Sequence, residues 1–380
     1  MNMPLGELST GEFLSTYWQK QPVVIRRAFG DFVPELDAND IAGLACDDLA
    51  ESRLVIGSFP EHDWNLRYGP FDEDVFANLP GENWTLLVQD VEKHYPPLQS
   101  LLRSFSFLPS WRIDDLMVSV AAPGGSVGPH ADQYDVFLLQ ASGRKKWQIA
   151  KSYQQALLPD CELNVLQSFQ PEQKWLLEPG DLLYLPPGVA HHGIAVDEGM
   201  TWSIGMRAPS SADLLQALGD WLAANRTEGQ RYRDTGLTDT PLEGEVDATA
   251  LRSFRRLIEK AAGDESDFEV FIGSFLSRYR LAYEPAPAEQ RYSPGALNKA
   301  IAGGAQLRHN PWTRLLWLKN RPGARLFAAG DEYHCSELLA RTLCKDPVSF
   351  TPDEGVTREG LDLACELLNK GHLFLRFPDE

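Results

Sequence analysis

Between Leu116 and Met206 the chain breaks into short β-rich runs, and this limits its architecture more than any other feature. The runs are Leu116–Ala121, Tyr134–Gln140, Lys146–Ala150, Trp175–Leu177, Asp181–Leu185, Gly193–Val196 and Thr201–Met206. Turns such as Pro123-Gly124-Gly125, Ser142-Gly143 and Glu178-Pro179-Gly180-Asp181 punctuate them. Many short strands at near-regular spacing, bounded by Gly, Pro and Asp, predict a double-sheet barrel.

The flanks read differently. Residues 1–94 mix short helices and strands, with Pro22–Arg27 and Trp84–Val88 strand-like, and from Pro96 the spacing of Leu98, Leu101, Leu102 and Phe105 gives a helix. After Pro209, Ser210-Ser211-Ala212-Asp213 can cap a helix carrying Leu214, Leu215, Leu218, Trp221 and Leu222. A polar loop is expected from Asn225 to Glu245, then helical patterns at Leu251–Ala262 and Phe268–Leu281. Glu284-Pro285-Ala286-Pro287-Ala288 reads as a linker. Beyond it, Ala296–Gly303, Ser336–Cys344 and Arg358–Asn369 are helical, and Arg314–Leu318, Arg325–Ala328 and Leu373–Phe377 strand-like. The expectation is an α+β chain of four parts: a flank over 1–94, the barrel over 95–208, helices over 209–284 and a mixed unit over 285–380. A length of 380 residues exceeds one ordinary core.

Composition excludes several classes. No run of eighteen apolar residues occurs, and Met1–Glu7 lacks a basic, then apolar, leader, so no membrane span or signal peptide is expected. Cys46, Cys161, Cys335, Cys344 and Cys365 are scattered, with no C-x-x-C pair, as expected of reduced thiols in a cytoplasm. A formal charge of −19 argues against direct nucleic-acid binding and suits a basic macromolecular partner.

His130-Ala131-Asp132 is the only place where a carboxylate sits two residues after a histidine. In an extended segment residues i and i+2 share a face, so both side chains converge on one point. A histidine from His191 or His192, after Pro186-Pro187-Gly188, would complete two imidazoles and one carboxylate. That facial set leaves half of an octahedron open, as non-haem Fe(II) oxygenases require, whereas structural zinc closes itself with four protein ligands. Spacing alone does not choose between the two adjacent histidines. Lys145 is placed to pair with the far carboxylate of a chelating 2-oxo acid, with Ser203 as an additional hydroxyl donor. The alternative is a basic hairpin tip with Arg144, Lys145 and Lys146 all in solvent. Asp115 and Met117 alternate onto one face of the first barrel strand, and with Tyr134 they suit a guanidinium, the acid pairing with its donors and the ring stacking on its plane; the alternative is a hydrophobic strand with an exposed acidic entry.

These motifs resemble the JmjC family of Fe(II)- and 2-oxoglutarate-dependent oxygenases. The likeness rests on His130-Ala131-Asp132 with His191, on Lys145, and on Glu178-Pro179-Gly180-Asp181-Leu182-Leu183-Tyr184-Leu185-Pro186-Pro187-Gly188. Pro129–Phe137 and the order of parts look most like the bacterial ribosomal oxygenases. The resemblance implies a double-stranded β-helix of jelly-roll or cupin type, a helical dimerisation segment and a winged-helix-like carboxy-terminal domain. It implies Fe(II), 2-oxoglutarate and O2, and hydroxylation of the β-carbon of an arginine in the sixteenth large-subunit ribosomal protein. It implies His191 as the third ligand, since the family's histidine follows Pro-Pro-Gly by three positions, and Lys145, where relatives carry Lys or Arg, as partner of the 2-oxoglutarate C5 carboxylate. Asp115, Met117 and Tyr134 correspond to positions that hold the target arginine. His192 departs from the pattern, standing where relatives often carry an acid. Competing expectations are a JmjC enzyme acting on histidine or methyl-lysine, and a cupin-like binding or regulatory protein without activity.

Overall fold

The computed structural model describes residues 4–225, 231–233, 243–279, 285–350 and 358–378. The expected Asn225–Glu245 loop falls mostly outside these, as do the last residues of the Phe268–Leu281 helix and Glu284 of the linker. The chain divides into two compact units, Met1–Ala208 and Pro209–Glu380.

The first unit contains β1 (Val23–Ile25), β2 (Ser52–Ile56), β3 (Asn65–Tyr68), β4 (Trp84–Val88), β5 (Ile113–Ala121) and β6 (His130–Ala131). It continues with β7 (Val136–Ser142), β8 (Lys145–Ala150), β9 (Gln173–Leu177), β10 (Leu182–Leu185), β11 (Ala190–Ala195) and β12 (Gly199–Met206). One sheet has the order β1-β10-β7-β12-β5-β4-β2-β3 and the other β6-β11-β8-β9. Apart from the β8–β9 hairpin, successive strands from β5 to β12 therefore cross from sheet to sheet, which is the expected double-sheet barrel.

The centre of the large sheet, β10, β7 and β12, is buried on both faces, which explains near-continuous runs such as Leu182-Leu183-Tyr184-Leu185. Strand alternation sorts these residues. Leu116, Val118, Phe137, Leu139, Leu182, Tyr184, Trp202 and Ile204 face outward into a core shared with Phe13 and Phe105. Val136, Leu138, Leu183 and Leu185 face inward onto Trp147, Ile149 and Leu177 of the other sheet and Val189 just before β11. Phe137 packs against the rings of Phe13, Trp18, Phe105, Phe107 and Tyr184. Truncating so enclosed a ring to alanine costs about 3–5 kcal/mol. The inward face also carries Asp115, Met117 and Ser119, which pair in register with Gly205, Ser203 and Thr201.

The second unit begins with the helices Ser211–Asn225, Ala248–Ala262 and Glu265–Ser277. Its strands are β13 (Gln306–His309), β14 (Leu315–Asn320), β15 (Gly323–Ala328), β16 (Asp331–Cys335) and β17 (Leu373–Arg376), in sheets β13-β17 and β14-β15-β16. Leu297, Leu307, Leu326, Leu343 and Leu367 form its core. Helix Glu265–Ser277 packs on the three-stranded sheet: Gly273 lies against the Phe327 ring, and Gly330 N–H donates to Ser277 Oγ at 2.9 Å. Among the described residues no helix is long and apolar enough to cross a membrane.

Candidate metal centre

The metal site arises where two chain segments pass between the sheets. One runs from β6 through Asp132 into β7, the other from β10 through Pro186-Pro187-Gly188 into β11. Gly188 N–H donates to the Asp132 carbonyl at 2.7 Å and locks the two crossings together. His130 and His191 are direct partners in the β6–β11 pair. Their ring centroids are 4.3 Å apart, and Asp132 carboxylate oxygens lie 4.0 Å from His130 Nε2 and 3.6 Å from His191 Nε2. One ligand atom from each of the three residues falls within 4.8 Å of the others.

Alternation separates the adjacent histidines. Across the β11–β8 pair His191 stands opposite Ile149, an interior residue, and its ring lies 5.9 Å from Trp147. His192 stands opposite Gln148 and points the other way, against Phe59 and Phe169. Both triad rings are held by carbonyls: His130 Nδ1–H donates to Gly128 O at 2.9 Å, and His191 Nδ1–H to Val189 O at 3.0 Å. A carbonyl can only accept, so Nδ1 keeps the proton and each Nε2 presents a lone pair to the site. Burial and the neighbouring His130 pull His191 down to about 4, so its ring is neutral and ready to ligate. Two imidazoles and a carboxylate, with no thiolate and one open side, fit a ferrous ion.

Lys145 is buried at 7% exposure, while its neighbours Arg144 and Lys146 are exposed. This excludes the solvated hairpin tip. Its ammonium lies 5.2 Å from the Trp147 ring centroid and has no hydrogen-bond or ion-pair partner among the described residues. Burial alone lowers its pKa to about 8. Gly193 explains the path of the side chain: a Cβ there would come within 2.9 Å of Lys145 Cε and 2.7 Å of Trp147 Cη2. Lys145 pairs with Ala195 yet extends back over Gly193, towards His191. Gly193 lies two residue steps from His191, about 7 Å along the strand, a span that suits a five-carbon dicarboxylate. An unpaired buried ammonium facing an open metal side is a site built for an anion.

The other expected residues gather at the Gly205 end of the large sheet. Asp115 and Val136 both pair with Gly205, on its two sides, and Met117 and Leu138 both pair with Ser203. This is the end at which the crossings to the metal triad leave β7 and β10. Ser203 is buried on the interior face, and Tyr134 is 40% exposed on the crossing itself. Asp115 is half-buried, and burial, then Glu92 and Asp90, push its carboxyl well above the usual range.

Sequence reasoning overlooked Asp135, whose carboxylate is fully buried. It accepts from Tyr184 Oη at 2.6 Å, Arg112 Nη2 at 2.7 Å and Gln19 Nε2 at 3.0 Å. Met206 N–H donates to the Asp135 carbonyl, and Arg207 N–H to that of Arg112, so this knot fixes the ends of β5, β7 and β12 around the site. A second carboxylate in Asp132-Gln133-Tyr134-Asp135, ahead of an apolar strand, was the available signal. Glu92 and Gln89, behind Asp115, carried no such signal.

A partly buried triad of two histidines and an aspartate on a double-sheet barrel defines a metal-dependent β-helix protein, and comparison with known proteins narrows the class. The JmjC domain family model matches residues 100–214 and a ROXA-like winged helix model residues 257–374. An AraC-like ligand binding domain model matches residues 168–275. The chain is 33% identical over 372 residues to the ribosomal protein uL16 3-hydroxylase of Escherichia coli, covering 97% of this chain and 98% of that protein. The X-ray structure of E. coli ycfD superposes with a TM-score of 0.88 at 31% identity, over 99% of this chain and 100% of that one. The ribosomal oxygenase YcfD in complex with cobalt and 2-oxoglutarate gives 0.85 at 31% identity, over 97% of this chain and 99% of that one. The chain belongs to the JmjC-domain ribosomal oxygenases.

Proposed function

We propose that this chain is an Fe(II)- and 2-oxoglutarate-dependent dioxygenase that hydroxylates the β-carbon (C3) of an arginine in ribosomal protein uL16. The observation that carries the reading is the triad with one open side and the unpaired, buried Lys145 reaching towards it. Its substrate rests on the full-length likeness to a uL16 3-hydroxylase. When bound, iron and 2-oxoglutarate activate dioxygen to oxidise an unactivated C–H bond, releasing succinate and carbon dioxide.

The chain's own contribution is geometry and charge. His130, Asp132 and His191 would hold the metal, with Nδ1 hydrogen bonds fixing both rings. Lys145, aided by Ser203, pairs with the remote carboxylate of 2-oxoglutarate and so sets which end of it faces the metal. Asp115 receives the guanidinium, Met117 lines its path and Tyr134 stacks on its plane, which holds the β-carbon in register with the metal. An acid at residue 115 favours a cationic guanidinium over a neutral imidazole. A charge of −19 steers a basic ribosomal protein inward and repels nucleic acid.

Residues 1–94 and 95–208 form the flank and barrel of the catalytic unit in this reading. Residues 209–284 serve homodimerisation, supported by exposed Leu215, Leu251, Phe254 and Ile258. Residues 285–380 form the winged-helix-like domain, which helix Glu265–Ser277 joins by its packing. The setting is the cytoplasm, where uL16 is made.

The test is incubation with Fe(II), 2-oxoglutarate and recombinant uL16, followed by tandem mass spectrometry. One added oxygen on an arginine β-carbon, matched by succinate, is expected. Oxygen on a histidine, or loss of a methyl group from a methyl-lysine, would replace arginine as the target.

A further inference from the structure

Among the described residues the Asp115 carboxylate is held from one side only. With its amide nitrogen turned towards Asp115, Gln89 donates to Oδ2 at 2.8 Å and accepts from Arg53 Nη2 at 3.3 Å. Among the described residues Oδ1 receives no hydrogen bond. It lies over Gly205, 2.8 Å from where a Cβ would stand, so any side chain there would displace it. Behind this group lie three further ionisable side chains: Glu92, whose carboxyl burial pushes up to about 7 and which accepts from Leu116 N–H at 2.9 Å, and Asp90 with its partner Lys93. All three are buried. The neighbourhood is acidic, and Gln89 is the neutral donor that keeps the Asp115 carboxylate in one orientation.

We propose that Arg53–Gln89–Asp115 is a positioning relay which, with the bare backbone of Gly205, aims Asp115 Oδ1 at the substrate guanidinium and thereby sets selectivity for a permanent cation. Gln89 does not touch the substrate; it fixes the rotamer and the free lone pairs of the residue that does. The proposal rests on the reading of Asp115 as the arginine anchor. A hydrogen bond to a charged group is at stake, so its loss weakens cation binding about tenfold. It leaves binding of the uncharged peptide frame unchanged.

The experiment uses a peptide spanning the arginine found hydroxylated in uL16 and the same peptide with citrulline, a neutral isostere. Dissociation constants for both are measured anaerobically on the full-length chain loaded with Fe(II) and 2-oxoglutarate. The arginine-to-citrulline preference of the parent chain should collapse in Asp115→Asn and fall about tenfold in Gln89→Leu. It should fall further in Gln89→Glu, which keeps the shape but sets a like charge against Asp115. General loosening of the fold would weaken both peptides equally and leave the ratio intact. An unchanged ratio in both Gln89 variants, with collapse in Asp115→Asn, would overturn the relay while sparing the anchor. An unchanged ratio in Asp115→Asn would remove anchor and relay together.

Discussion

Lys145→Met should make the protein more stable and nearly useless for its co-substrate. The folded-state pKa of about 8, against 10.5 for the free side chain, is a shift of 10.5 − 8, or 2.5. At about 1.4 kcal/mol per pKa unit, keeping this ammonium charged inside the barrel costs about 3 kcal/mol. Methionine has a similar reach and no charge, so the variant should gain roughly 1–3 kcal/mol in the absence of ligand, raising the midpoint of the catalytic unit by roughly 2–10 °C. The sign follows from proton linkage. Between pH 8 and 10.5 the unfolded chain holds a proton on residue 145 that the folded chain lacks, so the parent's stability rises with pH there. The variant's advantage is therefore complete below pH 8 and vanishes by pH 10.5. Binding responds in the opposite direction. Removing one member of a buried charge pair costs about 2–5 kcal/mol, so the KM for 2-oxoglutarate should rise 30-fold or more. Calorimetric melting and steady-state kinetics on one preparation read both effects. A variant that melts lower than the parent and keeps its 2-oxoglutarate KM would refute the assignment of Lys145.

In the parent, affinity for 2-oxoglutarate should fall about tenfold per pH unit above about pH 8, as free Lys145 loses its proton; Lys145→Arg, always charged, should flatten that limb. Gly193→Ala drives a methyl group into Trp147 and the Lys145 stem, and should cost about 1–3 kcal/mol in urea unfolding while raising the 2-oxoglutarate KM. Asp135→Ala strands Arg112 and the Tyr184 hydroxyl in the interior, so denaturant titration should show a loss of about 3 kcal/mol or more; a loss under 1 kcal/mol would mean the knot is not a load on the fold.

Much of the architecture was legible because the barrel strands are apolar and bounded by turns. Trp84–Val88 appears with the expected ends, and the strands from Ile113 to Met206 differ by a few residues. Elements with little apolar signal escaped. β3 is an exposed edge strand reading Asn-Leu-Arg-Tyr, and β13 reads Gln-Leu-Arg-His with Leu307 its one fully buried residue, so neither carries an apolar run. β11 begins at Ala190 rather than Gly193 because metal-facing His191 and outward His192 do not look like strand residues. In the site, the triad was visible because i, i+2 spacing has one geometric meaning in a strand. Lys145 was ambiguous because its burial depends on Gly193, from a strand far away in sequence. Gln89 was invisible for the same reason, since its partners Arg53 and Asp115 meet it only after the sheets close; Asp135 was marked by its place ahead of an apolar strand, but its role shows only once Arg112 and Tyr184 reach it.

The most direct measurement is anaerobic titration of the apo protein with ferrous ion in the presence of 2-oxoglutarate, followed by its visible metal-to-ligand charge-transfer band. One equivalent of iron should saturate the band in the parent chain, and Asp132→Ala should show none. Absence of the band in the parent, or an undiminished band in Asp132→Ala, would contradict a metal held by His130, Asp132 and His191.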